Sequence, residues 1–200
     1  MASLPAGEFL EMVRLNPVNA AILDRLPQLA DAAPQVHLVA GALFGTVWNV
    51  LSGQSPTANI HDYDISYWHQ DTSYDAEDAV IRRAADLFRD LDAPIEVRNQ
   101  ARVHLWFNRK YRLDRPALRS VRESIDQFLV ECTCVGIDAR GREYATYGMS
   151  DLATGVLRLN RRNHSQAMFG AKALDYRRRW PWLTIVEPAT ARASERYGQC

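Results

Sequence analysis

The eight residues His61-Asp-Tyr-Asp-Ile-Ser-Tyr-Trp68 constrain this chain more than any other stretch. So much Tyr, Trp and Ile in a short run reads as a β-strand, and alternate side chains on a strand share a face. Asp62 and Asp64 therefore point the same way, roughly 6–7 Å apart along the strand. Two carboxylates that close repel, and the pair costs stability unless a cation lies between them. Mg²⁺ answers that need, because it takes a few carboxylate oxygens together with substrate phosphates and water. An exposed edge strand whose outer face carries two acids is the alternative, and so short a motif does not choose by itself.

Composition narrows the setting. Hydrophobic residues make up 47% and charged residues 24% of 200 positions, enough for a folded core. Twenty-four basic residues balance twenty-four acidic ones. Strong non-specific binding of nucleic acid, which needs a basic excess, is not expected. A small phosphate-bearing ligand needs only a local basic site. Lys110 and Lys172 are the two lysines among the basic residues, an arginine bias typical of a GC-rich bacterial genome. Cys132, Cys134 and Cys200 form neither a paired framework nor a C-x-x-C site, so buried free thiols in a reducing cytoplasm are expected. The N-terminus lacks the basic-then-apolar order of a signal peptide, and no apolar run reaches membrane-spanning length. A cytoplasmic protein without membrane contact is the expectation.

Periodicity predicts helices over 5–16 and 17–31, the second capped by Asn16 with Pro17 at its first position. A buried strand is expected from Gln35 to Leu43 and a helix from Phe44 to Leu51. Asp75 to Leu91 reads as the clearest helix, capped by Asp75. Residues 94–99 and 102–107 read as two strands joined by a tight connection, and 109–116 as a polar loop. A helix over 124–131, extended pieces over 133–147, helices from Asp151 to about Arg179 and an extended 181–188 complete the pattern. Strand, helix and strand alternate as in an α/β or α+β protein.

A third acid sharpens the first two. In Ile95-Glu-Val97, alternation sets Glu96 on the face opposite Ile95 and Val97, together with Arg98. If this strand pairs with the Asp-x-Asp strand, Glu96 approaches Asp62 and Asp64. Three carboxylates holding two ions are a recurrent design for phosphoryl and nucleotidyl transfer. The alternative is a solvent-facing Glu96 paired with Arg98 or Arg102. Gly41-Ala-Leu-Phe-Gly45 lies between strand and helix, where glycine lets backbone approach phosphate. It matches neither G-x-G-x-x-G nor a P-loop and reads equally as a tight turn. Arg98 and Arg102 can hold phosphate bidentately or balance the acids. His104 reads as structural. Arg158, Arg161, Arg162 and Arg177-Arg-Arg179 beside Trp180 offer either a solvated face or a basic one with a base-stacking ring.

Gly41-Ala42 with Thr46-Val-Trp-Asn49, Asp62-x-Asp64 and Ile95-Glu-Val-Arg-Asn-Gln-Ala-Arg-Val-His-Leu-Trp106 together resemble a bacterial family of nucleotidyltransferase-like proteins. That family belongs to the DNA polymerase β-type superfamily, and the resemblance spans about residues 35 to 185. It implies an α+β fold, a small mixed β-sheet flanked by helices with N- and C-terminal helical additions. Residues 1–34 become a helical segment, 35–188 the nucleotidyltransferase-like domain and 189–200 a tail, in one compact domain. The superfamily pattern sets the phosphate turn on Gly41-Ala42 and the metal and catalytic acids on Asp62, Asp64 and Glu96. Gly41, Ala42, Thr46, Arg98 and Arg102 become the nucleotide-binding set. Two departures stand out: Ala42 offers no hydroxyl, and Phe44-Gly45 replace a more usual Arg-Asn. The implied activity is Mg²⁺- or Mn²⁺-dependent transfer of a nucleoside monophosphate from an NTP to an acceptor. That acceptor is a small molecule, a protein hydroxyl or an RNA end. The alternative is an idle nucleotide- or RNA-binding module on the same fold.

Overall fold

The acid-bearing strand and the third-acid strand are joined by a helix long enough to cross over, and such a connection makes neighbouring strands parallel. This is how the chain folds in the computed structural model, which describes residues 4–5, 7–112, 114–163 and 166–187. Strand β2 (Tyr63–Tyr67) leads through α4 (Tyr74–Leu87) to β3 (Ile95–Asn99). β2 and β3 pair in parallel, with Asp64 opposite Glu96 and Ser66 opposite Arg98. On its other side β2 pairs antiparallel with β1 (His37–Val39), Val39 opposite Asp64. β4 (Val135–Asp138) and β5 (Glu143–Ala145) extend the sheet to the order β3-β2-β1-β4-β5. Four pairings, one parallel and three antiparallel, make it mixed, and the architecture is α+β.

Helices α1 (Glu8–Arg14), α2 (Pro17–Arg25) and α3 (Gly41–Leu51) pack with α4 against one face of the sheet. Phe9, Val13, Ile22, Val47, Leu38, Tyr63, Ile65 and Ile137 share that core. The N-terminal helices are joined to it by polar bonds as well. Asn16 caps α2 by accepting from the Val18 and Asn19 amides, and its Nδ2 reaches Thr46 Oγ1 at 3.2 Å. The opposite face, carrying His37, Val39, Asp64 and Ser66, is partly covered by α6 (Val121–Ile125). α7 (Ser150–Thr154), the parallel pair β6 (Val156–Leu157) and β7 (Thr184–Ile185), and α8 (Gln166–Arg179) follow α6 and close the fold. Tyr176 and Trp180, at the end of this last helix, pack edge-on against Trp48 of α3.

Several expectations shift. The strand predicted to reach Leu43 stops at Val39, and α3 already begins at Gly41. The sharp turn is Ala40, at φ 62° and ψ −138°, a conformation that L-residues rarely adopt. The helix predicted over 17–31 breaks into α2 and a 3₁₀ turn, Leu26–Leu29, at Pro27. Ser73, not Asp75, caps α4 by accepting from the Ala76 amide. The strand predicted over 102–107 is helix α5 (Val103–Tyr111). Asn99 ends β3 and accepts from the Ala101 amide, turning the chain through a 3₁₀ turn (Gln100–Arg102) into that helix. The helix predicted over 124–131 occupies 121–125 instead. The predicted tail from 189, with Cys200, lies outside the described residues, and Cys132 and Cys134 are buried free thiols. Among the described residues no helix is long and apolar enough to cross a membrane.

Candidate active site

Asp62 and Asp64 stand at the entrance and start of β2, directly beside the point where β1 turns through Ala40 into α3. Antiparallel neighbours lie about 4.8 Å apart. The register that opposes Val39 to Asp64 therefore brings the first turn of α3 next to the acids. No side chain caps that helix, so its first amides are available to an anion. A Cβ added at Gly41 would meet nothing, so the approach to those amides is open.

The acids face a cleft of about 900 Å³. Ala40, Gly41, Asp62 and Asp64 lie along one side of it. Val103, His104 and Trp106 of α5 form a second wall, and Lys172, Asp175 and Tyr176 of α8 a third. A shallower depression bounded by Arg119, Glu123 and Arg162 holds none of these groups.

Asp64 carries the electrostatic signature of the site. Burial first, then the charges of Asp62 and Glu96, push its carboxyl up to about 6, against partial relief from Arg98 and Lys172. A carboxylate so placed favours the neutral form until a cation arrives. Asp62 and Asp64 line the cleft and are oxygen donors of the kind Mg²⁺ or Mn²⁺ takes, whereas Glu96, in register beside Asp64, is solvent-facing. Among the described residues no three His, Cys, Asp or Glu side chains are already gathered tightly enough to hold an ion. The reason lies in Glu96. It stands in register with Asp64, but its Oε2 accepts from Arg98 Nη2 at 2.6 Å. Arg98 also lies 5.8 Å from the Trp106 ring.

The other expected nucleotide contacts divide. Gly41 and Arg98 line the cleft. Ala42 and Thr46 are fully buried, and Thr46 Oγ1 donates to the Ala42 carbonyl while accepting from Asn19. Arg102 turns to Glu77, at 2.6 Å, with Tyr74 stacked on its guanidinium at 4.3 Å. Trp180, read as a ring on which a base could stack, is 0% exposed and donates to Asn49. Arg158 and Arg162 pair with Asp151 and Asp126. The replacements at 44 and 45 are packing choices. Phe44 packs on Trp48 and Tyr176, and a Cβ at Gly45 would stand 2.8 Å from Ile60 and 3.3 Å from the Trp180 ring.

One feature of the site, Lys172, lies outside the sequence reading, and a second, His104, is weighed there but reads as structural. Lys172, one of two lysines, reaches the cleft from α8, far along the chain from the acids. His104, placed on a helix rather than a strand, lines the cleft with its Nδ1 buried and unpartnered. The rarity of lysine was the one sequence signal for the first; the second had none beyond its identity.

A mixed sheet that presents acids on adjacent parallel strands beside an uncapped helix start defines a nucleotidyltransferase-type domain. A family model described as nucleotidyltransferase matches residues 30–185, and the chain belongs to that family. Solved structures share the fold. One, described as revealing a CCA-adding enzyme head domain, superposes with a TM-score of 0.72 at 22% identity, covering 90% of this chain and 95% of that one. A tRNA-processing enzyme in an apo form gives a TM-score of 0.53 at 14% identity, covering 84% of this chain and 43% of its own. The Thermotoga maritima CCA-adding enzyme complexed with tRNA gives 0.53 at 14%, covering 88% and 42%. No curated protein matches the chain significantly.

Proposed function

We propose that the protein transfers a nucleoside monophosphate from an NTP to a hydroxyl acceptor, with Mg²⁺ or Mn²⁺ held by Asp62, Asp64 and Glu96. The observation that carries this reading is the parallel register of Asp64 with Glu96, beside Asp62 and the open start of α3. A bound divalent ion supplies Lewis acidity and neutralises phosphate charge. The amides at Gly41 receive phosphate oxygens, and the α5 and α8 walls shield the reacting centre from water. The acceptor oxygen forms a bond to the α-phosphorus as the bond to pyrophosphate breaks, and the Glu96 carboxylate takes the hydroxyl proton. For this, Glu96 must leave Arg98, which frees that guanidinium for phosphate. The acceptor is a small molecule, a protein hydroxyl or an RNA end. Fold neighbours that process or bind tRNA make an RNA end a natural first trial.

A second reading, a binding module without turnover, is favoured by Phe44, which brings no charge to α3, and by the Glu96–Arg98 pair. Incubation with each labelled NTP and Mg²⁺ or Mn²⁺, alone and with candidate acceptors, separates the two. Pyrophosphate release or labelling that vanishes in Asp62→Asn/Asp64→Asn supports the enzyme. Saturable binding without release supports a nucleotide-binding module, and absence of any NTP binding refutes the enzyme and that module, leaving RNA as the ligand to test.

A further inference from the structure

The start of α3 is Gly-Ala-Leu-Phe, so on that side phosphate would meet backbone amides alone. A triphosphate carries several negative charges, and Asp62 and Asp64 add two more nearby. Beyond the divalent ion, compensating charge for the outer phosphates must come from elsewhere around the cleft. Most arginines that line it already have partners. Arg98 is freed for phosphate only when Glu96 leaves it, Arg115 donates to Asn163 Oδ1 at 2.6 Å, and Arg179 pairs with Asp175 at 2.6 Å. Lys172 differs. It is exposed on α8, and among the described residues none of the ion pairs involves it.

Its position is set by aromatic packing. Lys172 Nζ lies 5.2 Å from the Tyr176 ring centroid, and the other contacts of that ring include Phe44 of α3 at 5.2 Å. Tyr176 thus touches both the ammonium and Phe44 in the first turn of α3, linking Lys172 to the α3 start. Lys172 lines the same cleft as Asp62 and Asp64. A lysine ammonium on a flexible stem acts as a point charge on phosphate.

We propose that Lys172 binds the β- and γ-phosphates of the nucleotide, supplying from α8 the cation that α3 lacks. The inference rests on the NTP-dependent reading above. Calorimetric titration with ATP, AMP and inorganic tripolyphosphate, each with Mg²⁺, tests it on wild type, Lys172→Gln and Lys172→Arg. Loss of a charge-assisted contact weakens ATP and tripolyphosphate by ~10-fold or more in Lys172→Gln. AMP affinity and melting temperature stay unchanged, and Lys172→Arg keeps most of the triphosphate binding. Wild-type affinity for ATP retained in Lys172→Gln overturns this inference and leaves the function standing. Equal weakening of ATP and AMP overturns it too, because the residue would then shape the cleft rather than bind the outer phosphates. A wild-type protein that binds neither ATP nor tripolyphosphate overturns the function and this inference together.

Discussion

Asp64 is poised between two neighbours of its own sign and a low-polarity surround, and its stability cost can be read from titration. Its folded carboxyl is pushed up to about 6 from an ordinary 3.8, so between those values the folded protein holds a proton that the unfolded chain has lost. Stability from this group is therefore present at acid pH and is lost as pH rises through about 4 to 6. Asp64→Asn removes the charge while keeping the shape. At pH 7 it should stabilise the fold by about 1–2 kcal/mol, allowing for solvent screening at a partly exposed site. Urea unfolding at pH 4.5, 6 and 7 checks this. The gap between variant and wild type opens with rising pH, and parallel curves would show that Asp64 is not strained. The same variant loses nucleotidyl transfer, because it lacks a full charge for the ion. A stabler but inactive protein separates a functional acid from a structural one.

At the scale of elements, the block from Ile95 to Trp106 was distinctive in sequence for reasons that divide in the structure. Arg98 serves the cleft, whereas Asn99 and Arg102 build the corner after β3. Asn99 donates through Nδ2 to the carbonyls of His69 and Asp71, and its amide donates to Glu77 Oε1. Gln100 joins Ser66 to Ser124, binding β2 to α6. Arg102, 7% exposed, completes the corner through Glu77. Truncating it strands a largely buried carboxylate, so Arg102→Ala should cost about 3 kcal/mol in urea unfolding. NTP affinity per folded molecule should hold; a tenfold loss of affinity with unchanged stability would restore Arg102 to the nucleotide site. The misreading of α5 has the same origin. Val103, Trp106 and Phe107 fall at the helical i, i+3, i+4 spacing and line the cleft, but their strand-favouring side chains and the exposed Leu105 between them mask that stripe. The Asn99 cap belongs to the preceding 3₁₀ turn, which leads the chain directly into α5.

The whole molecule made part of the site legible and hid the rest. A strand-helix-strand run implies parallel pairing, and that pairing is what brings Glu96 beside Asp64. The solvent-facing pairing of Glu96 with Arg98, two residues along the same strand, is one of the two alternatives the sequence offers. What the pattern could not show is that α8 returns Lys172 and the buried Trp180 to α3. Both placements depend on packing between segments over 100 residues apart. The fold as a whole thus holds three acids near one another at a cost, and a ligand that removes the cost must raise global stability. Mg²⁺ at 100 times its dissociation constant should stabilise the folded state by about 2.7 kcal/mol. For a chain of this size that is a rise of roughly 5–10 °C in melting temperature. Scanning calorimetry with and without MgCl₂ measures it. Arg98→Gln, which frees Glu96 to join the aspartates, should bring the midpoint of the effect to lower Mg²⁺ concentration. Asp62→Asn/Asp64→Asn should show no shift at all. If the double variant responds as wild type does, the ion binds elsewhere and the acids are not its site. If no form responds up to tens of millimolar, the acid face is structural, and the repulsion at Asp64 is simply borne by the fold.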